Sequence, residues 1–220
     1  MNTYGLLASY YEHIMDDLLY AIYLERITHY TSPAKTLDIG CGTGYLARTL
    51  TEQGYTVDAT DTSVDILEIA NHYAVLEGLK PQFFNHDMIE PFHDYYDVMI
   101  ASVDVINHAK DLTAMQKAID NMHLHLLEDG YLFIDFLKCD YITKMLGYEE
   151  TIMLKDKNIK WSIQKGDSPC SFVHQIDIDG KQSSHQELST DEEVIKTMLK
   201  AFQLIERIEL EERIIYILKK

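Results

Sequence analysis

Cysteine and proline are scarce in this sequence of 220 residues, which has three cysteines and four prolines. Cys41, Cys139 and Cys170 are too few and too far apart to predict a disulfide framework or a zinc site. Metal-ligand spacing is lacking too, because the ten histidines form no HxxxH motif and there is no CxxC motif. We therefore predict that the protein binds no metal ion.

Long hydrophobic runs are also lacking. No window approaches the roughly 20 apolar residues that a membrane span requires. The first residues include Tyr, Asp and Glu, where a signal peptide has a basic end followed by an apolar run. We therefore expect a cytoplasmic protein that has no membrane partner.

Basic residues are few relative to acidic ones, with 19 Lys and Arg against 36 Asp and Glu and a formal net charge of -17. Such a surface repels phosphate backbones, whereas nucleic-acid binding normally needs a basic footprint. We therefore expect no nucleic-acid partner. A small neutral or cationic substrate or a basic protein fits this charge, which can also serve solubility alone.

What the sequence does have is an alternation of short apolar segments with amphipathic ones. The predicted strands cover residues 36–39, 55–60, 82–85, 97–102 and 131–137. The predicted helices cover residues 4–30, 45–53, 63–76 and 112–127. Strands that alternate with helices of this length predict an α/β fold with a parallel sheet covered on both faces.

The pattern changes from about residue 139 to residue 189. Alternating apolar and polar residues appear at 159–164 and 172–178, and the Asp179-Gly180 pair before residues 181–187 is a strong hairpin signal. This segment therefore predicts an antiparallel insertion of three or four strands, which is too small to fold alone.

The last part of the chain returns to the first pattern. A helix is predicted at residues 191–201, followed by two strands at 203–209 and 213–219. We accordingly expect one domain formed by residues 1–138 and 190–220, interrupted by an inserted β subdomain at 139–189 that forms part of the substrate pocket.

A glycine-rich turn follows the first predicted strand, in the segment Leu37–Gly44 that reads LDIGCGTG. Glycines at a strand-to-helix turn let a ligand approach the backbone closely. The spacing is GxGxG, and Tyr45 takes the place of the third glycine of the dinucleotide pattern GxGxxG, which disfavours a nicotinamide or flavin site. Asp38, just before the first glycine, suits a cationic ligand better than a pyrophosphate.

Further polar residues follow the next predicted strands. Asp61 ends the second strand, where it can accept hydrogen bonds from both hydroxyls of a ribose, although a helix cap is the alternative role. Asp87 after the third strand can accept from an exocyclic amine or serve only as a turn residue. Met88 can lie against an adenine ring. The loop at residues 102–108 follows the fourth strand at the same edge of the sheet.

At these residues the sequence resembles the class I S-adenosylmethionine-dependent methyltransferases, with the core resemblance covering about residues 36–137. The resemblance implies a Rossmann-like three-layer sandwich with a mostly parallel seven-stranded sheet and an antiparallel last strand. It also implies S-adenosylmethionine as cofactor and S-adenosylhomocysteine as product. Residues 7–15 and the insertion are similar to a narrower group of small bacterial methyltransferases, in which an N-terminal helix folds over the cofactor.

The resemblance also implies which residues bind the cofactor. Asp38 lies near its amino-acid part, Asp61 binds the ribose, Asp87 binds the adenine amine and Ser102 lies under the methionine moiety. Thr62 departs from the family pattern, because a larger apolar residue often stacks on the adenine at this position. The full expected set is Tyr11, Asp38, Gly40, Cys41, Gly42, Gly44, Asp61, Thr62, Asp87, Met88 and Ser102, with Tyr4 as a further lid residue.

The expected reaction is in-line transfer of a methyl group to a small-molecule acceptor. A general base helps only if the acceptor loses its proton in or near the transition state. Asp104, His108 and His174 are candidates for that base, although none has a partner pattern that identifies it. Two other classes stay open: a non-catalytic S-adenosylmethionine sensor or activator subunit, and a nucleotide-dependent oxidoreductase. The residues leave the acceptor and the oligomeric state open.

Overall fold

Two β-sheets with flanking helices form the part of the chain described by the computed structural model, residues 17–153 and 158–220. The α-helices are α1 (Asp17–Tyr30), α2 (Tyr45–Glu52), α3 (Val64–Glu77), α4 (Leu112–His125), α5 (Cys139–Met145) and α6 (Glu192–Met198), with a short 3-10 helix at Val105–His108. The strands are β1 (Lys35–Ile39), β2 (Thr56–Asp61), β3 (Gln82–Asn85), β4 (Tyr96–Ala101), β5 (Leu126–Leu137), β6 (Glu149–Met153), β7 (Asn158–Lys165), β8 (Ser171–Ile178), β9 (Lys181–Leu188), β10 (Gln203–Glu209) and β11 (Arg213–Lys219). No helix within these described ranges has both the length and the apolar character needed to cross a membrane.

The larger sheet has seven strands in the order β10-β11-β5-β4-β1-β2-β3. Strands β1 to β5 are parallel, whereas β11 lies antiparallel between β10 and β5. This confirms the predicted Rossmann-like fold with an antiparallel last strand.

The larger sheet is buried on both faces because its strands alternate between two apolar clusters. Met99 of β4 packs with α4 and α6 on one face, whereas its neighbours Val98 and Ile100 pack with α1 and α2 on the other. Each fully buried side chain of this size stabilises the fold by about 1.5–3 kcal/mol. The sheet therefore forms the middle of three layers.

Several predicted elements differ from the observed ones by one to three residues at an end, and strand β5 differs by more. Strand β5 begins at Leu126, within the predicted helix 112–127, because Leu126 is buried and pairs with Tyr96 of β4. The predicted helix 4–30 is described only from Asp17 onward, so Tyr4 and Tyr11 lie outside the described residues.

The smaller sheet is antiparallel and has the order β6-β7-β8-β9. Ile178 pairs with Lys181 across the Asp179-Gly180 turn, as the hairpin signal predicted. Helix α5 was not predicted. A disulfide between Cys139 and Cys170, whose Cα atoms are 5.0 Å apart, was not predicted either, and it ties the start of α5 to the turn before β8.

The side chain of Asn107 joins the two sheets at the point where the inserted segment begins and ends. The Asn107 amide donates to the Leu188 carbonyl at 2.7 Å, and its oxygen accepts from the Leu137 N–H at 3.1 Å. The Ser189 hydroxyl also donates to the Leu137 carbonyl. Because these groups are buried, the bonds hold β9 against the end of β5.

Candidate active site

A cavity of about 1020 Å³ opens at the carboxyl ends of the parallel strands, where open α/β sheets bind their ligands. One wall comes from the ends of β1 and β2 and from the loops after β3 and β4. The opposite wall comes from the smaller sheet and its flanking turns, at residues 167–170 and 185–191. The volume is at the upper end of the roughly 300–1,000 Å³ typical of small-molecule sites.

Gly40 and Gly42 of the glycine loop, residues 40–44, line this cavity. Gly40 has a φ of +65°, and a Cβ atom there would lie 2.4 Å from Cγ2 of Val105. Only glycine allows the chain to pass so close to the loop after β4. Gly44, with a φ of +77°, lines neither the cavity nor its recess, because its hydrogen atoms face Phe83 and Ala70.

Asp61 links the end of β2 to the glycine loop. Its Oδ2 accepts from the Gly42 N–H at 3.1 Å, and its Oδ1 accepts from the Ser63 N–H at 2.8 Å. Burial raises the pKa of Asp61, and these backbone hydrogen bonds oppose the rise. Ser63 itself caps α3 by accepting from the Ile66 N–H, so the helix does not require Asp61 as its cap. The remaining lone pairs of the carboxylate can therefore serve a ligand in the cavity.

Asp38 lies in a small recess beside the cavity, together with Tyr20, Cys41 and Ser102. The carboxylate is 2% exposed, and its Oδ2 has no hydrogen-bond partner among residues 17–153 and 158–220. Burial raises the pKa of Asp38 to about 7, and the nearby Asp61 adds to the rise. A buried carboxylate oxygen without a partner is costly, and a cationic group on a ligand would satisfy it. The recess therefore suits a cationic group of a ligand.

The remaining predicted cofactor residues are placed as follows. Thr62, Asp87 and Met88 line the large cavity, beside His86, which the sequence analysis did not select. Asp87 is exposed and accepts from the Ile89 N–H at 3.1 Å. The predicted residues that line the cavity or the recess are Asp38, Gly40, Cys41, Gly42, Asp61, Thr62, Asp87, Met88 and Ser102.

Asp104, a candidate base, is held in an ion pair away from the cavity lining. Arg213 of β11 donates to Asp104 at 2.7 Å and to Asp135 at 3.1 Å. Asp135 also accepts from the Tyr23 hydroxyl at 2.8 Å and from the Val103 N–H at 3.0 Å. This buried network fixes the loop after β4, and Asp104 takes part in it without lining the cavity.

The other two candidate bases belong to one cluster with Glu187 and His185, which we call the His/Glu cluster. His108 and His185 line the cavity, whereas His174 is buried behind them. The Nε2 atoms of His174, His185 and His108 lie 3.2, 3.3 and 3.9 Å from the same Oε1 of Glu187.

Burial lowers the pKa of His108 to about 4, so its ring is neutral at pH 7. Burial alone would raise the pKa of Glu187, but the imidazoles of His174 and His185 beside its Oε1 hold that pKa below its usual value. The carboxylate of Glu187 is therefore ionised although it is buried.

The sequence analysis missed His185 and Glu187, although a signal for them was present. The two-residue turn at Asp179-Gly180 sets the hairpin register, which places His185 directly opposite His174. Alternation along β9 then puts Glu187 on the same face. Pairing residues across the hairpin from this turn would have brought together His174, His185 and Glu187.

Comparison with known proteins identifies the family to which the chain is related. The family described as Methyltransferase domain matches residues 11–165. A putative methyltransferase from Geobacillus sp. (strain WCH70) is 27% identical over 205 residues, covering 84% of this chain and 81% of that protein. A ubiquinone biosynthesis O-methyltransferase from Rickettsia felis is 33% identical over 128 residues, covering 56% of this chain and 51% of that protein. The chain thus spans about half the length of that second relative.

Solved structures share the fold. An S-adenosylmethionine-dependent methyltransferase from Clostridium acetobutylicum ATCC 824 superposes with a TM-score of 0.83 at 20% identity, covering 97% of this chain and 96% of that one. An amino pentose methyltransferase from Micromonospora echinaspora, with S-adenosylmethionine bound, gives a TM-score of 0.74 at 17% identity, covering 96% and 94%.

The chain belongs to the methyltransferase-domain family and is a class I S-adenosylmethionine-dependent methyltransferase. The predicted fold, enzyme class and cofactor are thereby confirmed.

Proposed function

We propose that this methyltransferase transfers a methyl group in line to a hydroxyl or amine of a small organic molecule. The observation that carries the proposal is the single cavity whose walls come from Asp61 and the glycine loop on one side and from the smaller sheet on the other. Its volume accommodates a cofactor and a small acceptor side by side. In this proposal the insertion at 139–189 supplies the acceptor side of the pocket.

The residues of the cofactor side have separate proposed roles. Asp61 accepts hydrogen bonds from the ribose hydroxyls, and Asp38 pairs with the ammonium group in the recess. Asp87 accepts from the adenine amine, while Met88 lies against the adenine ring. Gly40 and Gly42 line the cavity, and without side chains they allow the cofactor to approach their backbone closely.

S-adenosylmethionine supplies, when bound, a methyl group that its sulfonium already activates. The chain therefore needs no acid for the leaving group. Its contribution is to hold the acceptor close and in line and to exclude water, which contributes roughly several kcal/mol. The rigid loop after β4, fixed by Arg213 and Asp135, supports this positioning.

Names of similar proteins support a small acceptor. The Rickettsia relatives are named for O-methylation in ubiquinone biosynthesis, and two structural neighbours are named as sugar or amino pentose methyltransferases. These names cover a hydroxyl and an amine as accepting groups. The cytoplasmic location predicted from the sequence stays a prediction.

The proposal can be tested with purified protein, isotopically labelled S-adenosylmethionine and pools of phenols and amino sugars. We expect acceptor-dependent release of S-adenosylhomocysteine and label in a small product. Labelling of protein or nucleic acid alone would contradict the proposal. Tight cofactor binding in calorimetry without methylation of any compound in the pools would also contradict the proposal, because that outcome indicates a sensor or activator subunit.

The affinity for S-adenosylmethionine is expected to rise with pH, by about eight-fold between about pH 6 and about pH 7.5. Asp38 has a pKa of about 7 in the free protein, and pairing with an ammonium group lowers this value on binding. Binding below pH 7 must therefore release a proton, and the affinity falls as the pH falls. Burial raises the pKa of the neighbouring Cys41 thiol well above this range.

Isothermal titration calorimetry at the two pH values measures this effect. Asp38→Asn is the matched control, because it keeps the shape of the side chain and removes the titration. An equal pH dependence in both proteins would show that another group is responsible.

A further inference from the structure

The His/Glu cluster places the imidazole nitrogens of three histidines around one carboxylate oxygen. Three Nε2 atoms lie 3.2 to 3.9 Å from Glu187 Oε1. The Nε2 of His108, at 3.9 Å, is beyond hydrogen-bond distance of Oε1, and the buried Nε2 of His174 makes no hydrogen bond of good geometry within the described residues. The arrangement therefore suits a cation between the ligands better than a hydrogen-bond network alone.

His174 is excluded as a ligand by the hydrogen bond that its Nδ1 accepts from Trp161. The Trp161 indole donates to Nδ1 of His174 at 2.8 Å. An indole N–H only donates, so Nδ1 accepts and the proton of the neutral ring lies on Nε2. That protonated Nε2 lies 3.2 Å from Glu187 Oε1. His174 is thus a positioning residue: Trp161 orients its ring, which stacks on the ring of His185 with the centroids 4.5 Å apart.

His108, His185 and Glu187 remain as ligands. Their candidate ligand atoms all lie within 4.8 Å of one another. Zinc binds nitrogen and oxygen at about 2.0–2.2 Å, so two ligands of one tetrahedral ion lie roughly 3.3 Å apart. The His185 to Glu187 distance of 3.3 Å matches this value, whereas His108, at 3.9 Å from Glu187, has to move closer to the other two ligands when the ion binds.

We propose that His108, His185 and Glu187 form a binding site for a divalent transition-metal ion in the wall of the cavity. Two imidazoles and one carboxylate are a donor set suited to zinc or ferrous iron. This reverses the expectation of no metal ion, which was based on sequence spacing alone. His108 comes from the loop after β4 and the other two ligands from β9, so no short motif contains the set.

The site faces the space assigned to the acceptor. His108 and His185 line the cavity, whereas Glu187 is buried behind them. Three protein ligands would leave coordination positions open, and two of those ligands, His108 and His185, line the cavity. The role of the ion, unlike its binding, rests on the proposed function: it would hold an oxygen or nitrogen atom of the acceptor.

Metal binding can be measured directly on the full chain, purified without a histidine tag and treated with a chelator. We expect calorimetry to show one Zn²⁺ bound per chain, and Co²⁺ to give the visible absorption bands of a site with few water ligands. These measurements need neither methyl donor nor acceptor. Their failure is therefore distinguishable from failure of the proposed function.

Variants separate the ligands from the positioning residue. His174→Gln is expected to weaken Zn²⁺ binding roughly 10- to 100-fold, the usual effect of removing a group that orients a ligand. His185→Gln and Glu187→Gln are expected to weaken binding by more than that, and His108→Gln serves as a second ligand variant if either fails to fold. His72→Gln, on the exposed surface of α3, is the matched control and should leave the affinity unchanged.

Two results would overturn the proposal. One is the absence of stoichiometric Zn²⁺ and Co²⁺ binding to a folded wild-type chain, as judged by circular dichroism. The other is binding with the same affinity in the ligand variants and in His72→Gln, which would place the ion elsewhere.

Discussion

Replacing Asp61 with alanine is expected to weaken S-adenosylmethionine binding by about 2 kcal/mol or more, roughly 30-fold in dissociation constant. The variant removes a charged acceptor from two ribose hydroxyls in the proposed complex. It also removes the acceptor of the Gly42 and Ser63 N–H groups, which hold the glycine loop against β2. Both losses act in the same direction, and calorimetry measures their sum.

The matched control for this variant is Asp65→Ala. Asp65 lies in the first turn of α3, is exposed and does not line the cavity, so the change in net charge is the same. We expect Asp65→Ala to bind S-adenosylmethionine with a dissociation constant close to that of the wild type. An unchanged constant in Asp61→Ala as well would refute the role given to Asp61.

Replacing Arg213 with methionine is expected to lower the free energy of unfolding by about 3–5 kcal/mol. The Arg213 side chain is 8% exposed and pairs with Asp104 and with the fully buried Asp135. Without the guanidinium, two carboxylates lie close together with no cation beside them. Urea denaturation monitored by circular dichroism measures the loss.

A second cation of the same strand provides the control. Lys219 pairs with Asp129, whose side chain is 86% exposed, so the pair is solvated. Lys219→Met is therefore expected to change stability by less than about 1 kcal/mol. If Arg213→Met were no more destabilising than Lys219→Met, the ion-pair network would not stabilise the loop after β4 as argued.

Strands and turns of this fold could be predicted because their signals are local. β3, β10 and β11 have the boundaries expected from apolar runs. The Asp179-Gly180 turn similarly predicts the β8–β9 hairpin, because a two-residue turn allows one register. Helix α5 lacked such a signal, since only Ile142 of its seven residues is fully buried and no periodicity results.

Contacts between distant segments could not be predicted from the same patterns. Asp104 looked like a loop residue open to a substrate, but its partner Arg213 lies 109 residues further along the chain. The meeting of His108 with β9 likewise depends on how the insertion folds back on the loop after β4. Cys139 and Cys170 are brought together by the same folding back.

Asn107 has a consequence for how this protein can diversify. Its amide and the Ser189 hydroxyl pin Leu137 and Leu188 together, so the inserted segment enters and leaves the domain at one point. For a segment whose two ends are already joined, each doubling of length costs only about 0.6 kcal/mol of closure entropy. A change in the length of the insertion at its β6 edge therefore costs little stability and leaves the half of the cavity around Asp61 unchanged.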